Sequence, residues 1–159
     1  MKVFLQANPT VDMIVVRENS EGEYVNNGGR FAAGQPNEVA IQTAVHTRKG
    51  VERVLRHGFD LAMLPERRRK LTMVTKSNAQ RYGMVLWDDV LDELAPEYPE
   101  VEVDKQHIDA ISMNFVRMPE VFDIVVASNL FASAAIHLGR SVSGAGCAMT
   151  FACCGRATF

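Results

Sequence analysis

Four apolar residues in a row, Met13 to Val16, sit inside the stretch Asp12 to Arg17 and predict a short strand covered on both faces, since a half-exposed strand would alternate. Behind it the pattern turns abruptly polar in "RENSEGEY", Arg17 to Tyr24. "NNGGR", Asn26 to Arg30, and "AAGQPNE", ending at Glu38, carry turn chemistry, because Gly and Asn accept positive φ at little cost. The pieces "YV" and "RF" and the run Glu38 to Thr47 alternate as strands do, which makes the region an antiparallel excursion.

From Thr47 the period changes. Val51, Val54, Leu55, Phe59 and Ala62 recur at helical spacing, with Thr47 as N-cap and Pro65 just past the end. "KLTMVTK", Lys70 to Lys76, predicts a strand, and Tyr82, Val85, Leu86, Val90, Leu91 and Leu94 trace a helix stopped by Pro96. A short strand "VEVDKQ" follows, then a helix from His107 to Arg117, a buried strand in "VFDIVVAS" and a helix from Asn129 to Leu138. Strands alternating with helices of this length predict βαβ units and a parallel sheet, an α/β fold. After about Gly139 the small, Cys-rich sequence shows no amphipathic period, and no element is assigned there.

The chain has 159 residues, single-domain size, and a formal charge of -2 from 17 basic and 19 acidic side chains. That balance argues against a nucleic-acid partner, which needs a basic excess or stripe. The one dense basic cluster, Glu66 to Lys70, reads as a solvated loop between a helix and a strand. Cys147, Cys153 and Cys154 are odd in number and lack metal-ligand spacing, so a reduced, cytoplasmic protein is expected. No segment reaches the roughly twenty apolar residues of a membrane span, and the start has no signal-peptide character.

Ligands of open parallel sheets collect at the carboxyl ends of the strands. There the first strand delivers Arg17 and then Tyr24, "KLTMVTK" delivers Lys76, Ser77 and Asn78, and "VEVDKQ" delivers His107 and Asp109. Arg grips a carboxylate bidentately, Lys and Tyr can move a proton, and Asp can hold a divalent cation. Together these groups suit an anionic, oxygen-rich substrate. Each also has a structural reading: Arg17 and Lys76 as snorkelling sheet ends, Tyr24 as a strand aromatic, "HID" as a helix cap. "VSGAG" near Gly144 is too loose for a dinucleotide fingerprint.

Four motifs in order, "DMIVVRENSEGEYVNNGGR", "TKSNAQRYGMVLWDDV", "VDKQHIDA" and "FDIVVASNLF", resemble the β-decarboxylating dehydrogenases of the isocitrate and 3-isopropylmalate type. "ENSEGEY" followed by "DKQHIDA" most resembles the tartrate and D-malate branch. The resemblance implies a partial isopropylmalate dehydrogenase-like fold over residues 1–139, a dimer clasp at about 24–47 and a divergent tail at 140–159. It implies oxidation of a 2-hydroxy dicarboxylate with NAD and Mn²⁺ or Mg²⁺, with possible decarboxylation. Carried over by position, Arg17 binds a substrate carboxylate, Tyr24 donates a proton to the enol, Lys76 is the general base, Asn78 approaches the nicotinamide and Asp109 is a metal ligand.

The resemblance further implies a homodimer whose active site is shared, Lys76 and Asp109 of one subunit meeting Arg17 and Tyr24 of the other. On that reading the polar run after Val16 is polar because it enters a substrate pocket at a subunit interface. The chain departs from the family where "ASAAIH" replaces "GDILSD", so that Ser133 and His137 stand for two metal-binding Asp. A hydroxyl and an imidazole suit Mg²⁺ or Mn²⁺ poorly. A zinc site of His107, Asp109 and His137 is the less favoured alternative to His137 as an ordinary helix residue. The chain is expected to be truncated at both ends relative to the family and to turn over weakly or not at all. The alternative function is a non-catalytic dimerisation or dicarboxylate-binding module.

Overall fold

The computed structural model describes residues 11–135 and, for the backbone, residues 148–154. A five-stranded parallel sheet forms from β1 (Asp12–Glu18), β4 (Lys70–Thr75), β5 (Glu102–His107), β6 (Ile124–Ala127) and β7 (Ala148–Cys154), in the order β5-β4-β6-β1-β7. A separate antiparallel pair joins β2 (Gly22–Phe31) to β3 (Val39–Val45). The helices are α1 (Arg48–Ala62), α2 (Gly83–Leu94), α3 (Ile108–Arg117) and α4, described over residues 129–135.

Parallel βαβ crossovers are right-handed. The steps β1-α1-β4 and β4-α2-β5 run in one direction along the sheet, whereas β5-α3-β6 runs back, so α1 and α2 share one face and α3 covers the other. Contacts between α1 and α2, and of α3 with β4 and β5, agree with that placement. Burial on both faces explains the unbroken apolar runs: Val15, Val16, Val74, Val125 and Val126 are all buried. Burying each such side chain contributes about 1.5–3 kcal/mol.

Helix α1 begins where its cap dictates, with Thr47 Oγ1 accepting from Gly50 N at 3.1 Å. Its core stripe is Val51, Val54, Leu55, Phe59 and Ala62. At Gly58 the helix closes on the sheet so tightly that a Cβ would lie 2.5 Å from Val126 Cγ2. On the opposite face Phe115 of α3 meets Phe122 edge-on at 4.7 Å.

Three sequence expectations are corrected. "NNGGR" is not a turn: β2 runs through it, with Asn26 at φ 51 and a register shift between Gly22 and Asn27 that marks a bulge. Gly28 permits the close strand approach there, since a Cβ would meet the Ile41 carbonyl oxygen at 2.1 Å. The actual turn lies beyond, where Ala32 (φ 51) and Gly34 (φ 77) reverse the chain.

The segment left without an element after Gly139 contains β7, paired in parallel with β1 from Asp12↔Ala148 to Glu18↔Cys154. Short apolar runs carry no helical period, and strand partners distant in sequence leave no local signal. Nor is the basic cluster a solvated loop. Arg67, its side chain 8% exposed, donates to Asp123, which is fully buried, and to Asp12, while Arg68 N donates to Asp123 Oδ2 at 2.7 Å. These arginines tie together the amino-terminal ends of β1 and β6. Among the described residues no helix is long and apolar enough to cross a membrane.

Candidate functional site

The opposite, carboxyl edge of the sheet holds the candidate chemistry. Arg17 Nε, near the end of β1, donates to Asn129 Oδ1 at 3.0 Å, and Arg17 Nη2 donates to the same oxygen. Asn129 follows β6 at the start of α4, is 5% exposed, and donates from Nδ2 to the Glu21 carbonyl at 3.1 Å. A guanidinium has five N–H donors, so two are spent on Asn129 and three remain for an anion. Its carbon lies 5.9 Å from the centroid of the Tyr24 ring, within cation–π range.

Two strands away, Lys76 follows β4 and Nζ pairs with Asp109 Oδ2 in the first turn of α3. The hydrogen bond from Lys76 holds the Asp109 carboxyl below the ordinary aspartate range. To accept a proton from a substrate the amine has to leave that carboxylate and be neutral, since an ammonium has no lone pair. Asn78 is exposed beside it, and His107 ends β5 at the N-cap position of α3 without a side-chain cap bond. Strand spacing puts the ends of β1 and β4 about 10 Å apart. The expected residues therefore form two pairs on one edge, Arg17 with Tyr24 and Lys76 with Asp109.

The polar run after Val16 has a structural task that sequence reasoning missed. Glu18, 1% exposed, accepts from Ser20 N, Glu21 N, Ser20 Oγ and Arg53 Nη2. Glu21 accepts from Thr47 N at 2.7 Å and Thr47 Oγ1 at 2.8 Å, bracing the start of α1. Glu23 Oε2 accepts from Leu130 N at 3.3 Å at the start of α4. Each acid meets a turn or a helix beginning, where backbone N–H groups lack helical partners. Asn129 was also missed, although it lies at a strand's carboxyl end as Arg17 does.

The described residues of one chain do not fit a divalent metal. Asp109 is engaged by Lys76, Ser133 Oγ donates to the Asn129 carbonyl at 3.1 Å, and among the described residues no three His, Cys, Asp or Glu side chains cluster as a metal site. His137 and Gly144 lie outside the described residues, and with His137 so does the His107, Asp109, His137 alternative.

Residues 3–134 match the model of the isocitrate/isopropylmalate dehydrogenase family. The chain is 48% identical over 134 residues to a decarboxylating D-malate dehydrogenase of Escherichia coli K12, an alignment covering 84% of this chain and 37% of the relative. It is 46% identical to a probable tartrate dehydrogenase/decarboxylase of Agrobacterium vitis, again over 84% of this chain and 37% of the relative. Among solved structures, isocitrate dehydrogenase from Methylococcus capsulatus matches with TM-score 0.76 and 34% identity over 87% of this chain and 44% of that one. The chain thus spans little more than a third of the curated relatives' length.

Proposed function

The chain belongs to the isocitrate/isopropylmalate dehydrogenase family, and from that premise we propose that it serves oxidation of a 2-hydroxy dicarboxylate of the tartrate or D-malate class by NAD. The observation that carries this reading is Arg17, anchored on one side by Asn129 and faced by Tyr24, with three donors left for a carboxylate.

In the reaction, Arg17 fixes one substrate carboxylate. Lys76, free of Asp109 and as the neutral amine, would take the hydroxyl proton. Where decarboxylation follows, Tyr24 returns a proton to the enol carbon. NAD would supply the hydride acceptor, and the family resemblance assigns Asn78 to the nicotinamide side.

The two pairs serve one substrate when a second copy of the chain supplies the complementary pair. Supporting a homodimer, the β2–β3 hairpin exposes Phe31 (60%), Val39 (51%) and Ile41 (51%), apolar area that a monomer would leave in water.

A second reading, a dicarboxylate-binding module without turnover, is favoured by Ser133, whose hydroxyl is turned to its own helix backbone where the family pattern has an acid. The deciding experiment is NADH formation from D-malate and meso-tartrate with Mn²⁺. Slow formation that disappears in Lys76→Met and Tyr24→Phe supports catalysis. Formation undiminished in Lys76→Met overturns the assignment, and binding without NADH establishes the second reading.

A further inference from the structure

Arg17 keeps its pose only while Asn129 presents an oxygen to it. A guanidinium only donates and a carbonyl only accepts. With Arg17 Nε donating to Asn129 Oδ1 at 3.0 Å and Asn129 Nδ2 donating to the Glu21 carbonyl at 3.1 Å, the amide has one way to face. Turned over, it would set its NH2 group against the Arg17 cation and its oxygen against the Glu21 carbonyl. The position of that carbonyl therefore bears on Arg17.

Glu21 belongs to the turn after β1, and Glu18 holds this turn. The Glu18 side chain is buried, and its Oε2 accepts from Ser20 N at 2.9 Å and from Glu21 N at 2.8 Å. Two consecutive peptide units ahead of the Glu21 carbonyl are thus pinned to one carboxylate. Arg53 of α1 ties the same group to the helix, donating to Glu18 Oε1 at 2.9 Å and to Ser20 Oγ at 2.8 Å. A carboxylate at this depth is a firm reference point, because leaving it short of donors costs free energy. The turn also rests directly on its target: a Cβ at Gly22 would stand 3.4 Å from Asn129 Cβ.

Side chains alternate along a strand, so Glu18 leaves β1 on the face opposite Arg17. We propose that Glu18 is a positioning residue for the substrate, fixing the turn whose Glu21 carbonyl orients Asn129 and so aims the Arg17 guanidinium. The proposal rests on the reading of Arg17 as the carboxylate grip. Coupling between sites is reciprocal, so a ligand that engages Arg17 steadies the Glu18 turn in return.

The test is NMR hydrogen exchange on the full chain, with the Arg17 Nε–H signal identified by its loss in Arg17→Met, alongside calorimetric titration of D-malate. In the wild type this N–H, bonded to Asn129, is expected to exchange slowly, and D-malate is expected to slow exchange at the Ser20 and Glu21 amides. Glu18→Gln places an NH2 group among donors. It is expected to speed Arg17 Nε–H exchange and weaken D-malate binding, each by about tenfold, while the Val15 and Val16 amides stay protected. A general loss of stability would not give that split. Arg17 Nε–H exchange unchanged in the folded variant overturns the proposal, even where D-malate binds. Should the variant not fold, the wild type decides: D-malate binding that leaves the Ser20 and Glu21 amides unchanged overturns it. No D-malate binding to the wild type overturns instead the reading of Arg17, and the substrate role of Glu18 with it.

Discussion

Arg17 and Asn129, 112 residues apart in the chain, meet across the ends of the adjacent parallel strands β1 and β6, Arg17 Nε donating to Asn129 Oδ1 at 3.0 Å. The sheet register thus places a polar anchor beside an arginine of its carboxyl edge that faces a tyrosine ring. Asn129→Ala removes the acceptor for two guanidinium donors and the donor to the Glu21 carbonyl. It is expected to lower stability by about 1–3 kcal/mol in denaturant unfolding and to weaken D-malate binding, whereas Asn129→Asp keeps the acceptor and retains more of both.

The amino-terminal edge is held differently. Asp123, fully buried, accepts from Arg67 Nε at 2.8 Å and from Arg68 N. Asp123→Ala strands the largely buried Arg67 guanidinium, and the expected loss is about 3–5 kcal/mol in urea unfolding, with no direct effect on ligand affinity in the folded fraction.

Gly58 of α1 is predicted to resist enlargement. Alanine usually gains up to about 1 kcal/mol over glycine in a helix, yet here its methyl would press on Val126 Cγ2 at 2.5 Å and Leu71 Cδ1 at 3.2 Å. Both neighbours are buried strand residues with little freedom, so steric cost wins and Gly58→Ala is expected to destabilise by about 1–2 kcal/mol, read as a lowered Tm.

The Lys76–Asp109 pair has a pH signature. The hydrogen bond from Lys76, opposed by some desolvation, depresses the Asp109 carboxyl. Because the folded value lies below the unfolded one, the pair's contribution is present above about pH 4 and is lost as pH falls through the depressed folded value. Carboxyl NMR titration should find Asp109 below the ordinary range in the wild type and back towards it in Lys76→Met.

Much of the scaffold was legible in the sequence because its elements carry strong local signals. Thr47 and the stripe from Val51 to Ala62 gave α1 with its cap, and the runs Met13 to Val16 and Ile124 to Ala127 gave two doubly buried strands. Strand ends also located Arg17, Lys76 and Asp109. What escaped was set by partners distant in the chain. Glu18, Glu21 and Glu23 look like surface acids until the starts of α1 and α4 are brought to them, and Arg67 looks solvated until Asp123 arrives. β7 has no periodicity of its own and is defined by its register on β1.

Whether Arg17, held by Asn129, grips a substrate carboxylate is decided by calorimetric titration of D-malate into the wild-type chain and into Arg17→Met, with oligomeric state followed by light scattering. Saturable binding to the wild type is expected, with affinity lower by roughly 10–100-fold in the variant, the worth of a charge-assisted hydrogen-bond pair. Equal affinity in the two proteins, or no binding to the wild type in either the monomeric or the dimeric state, would contradict it.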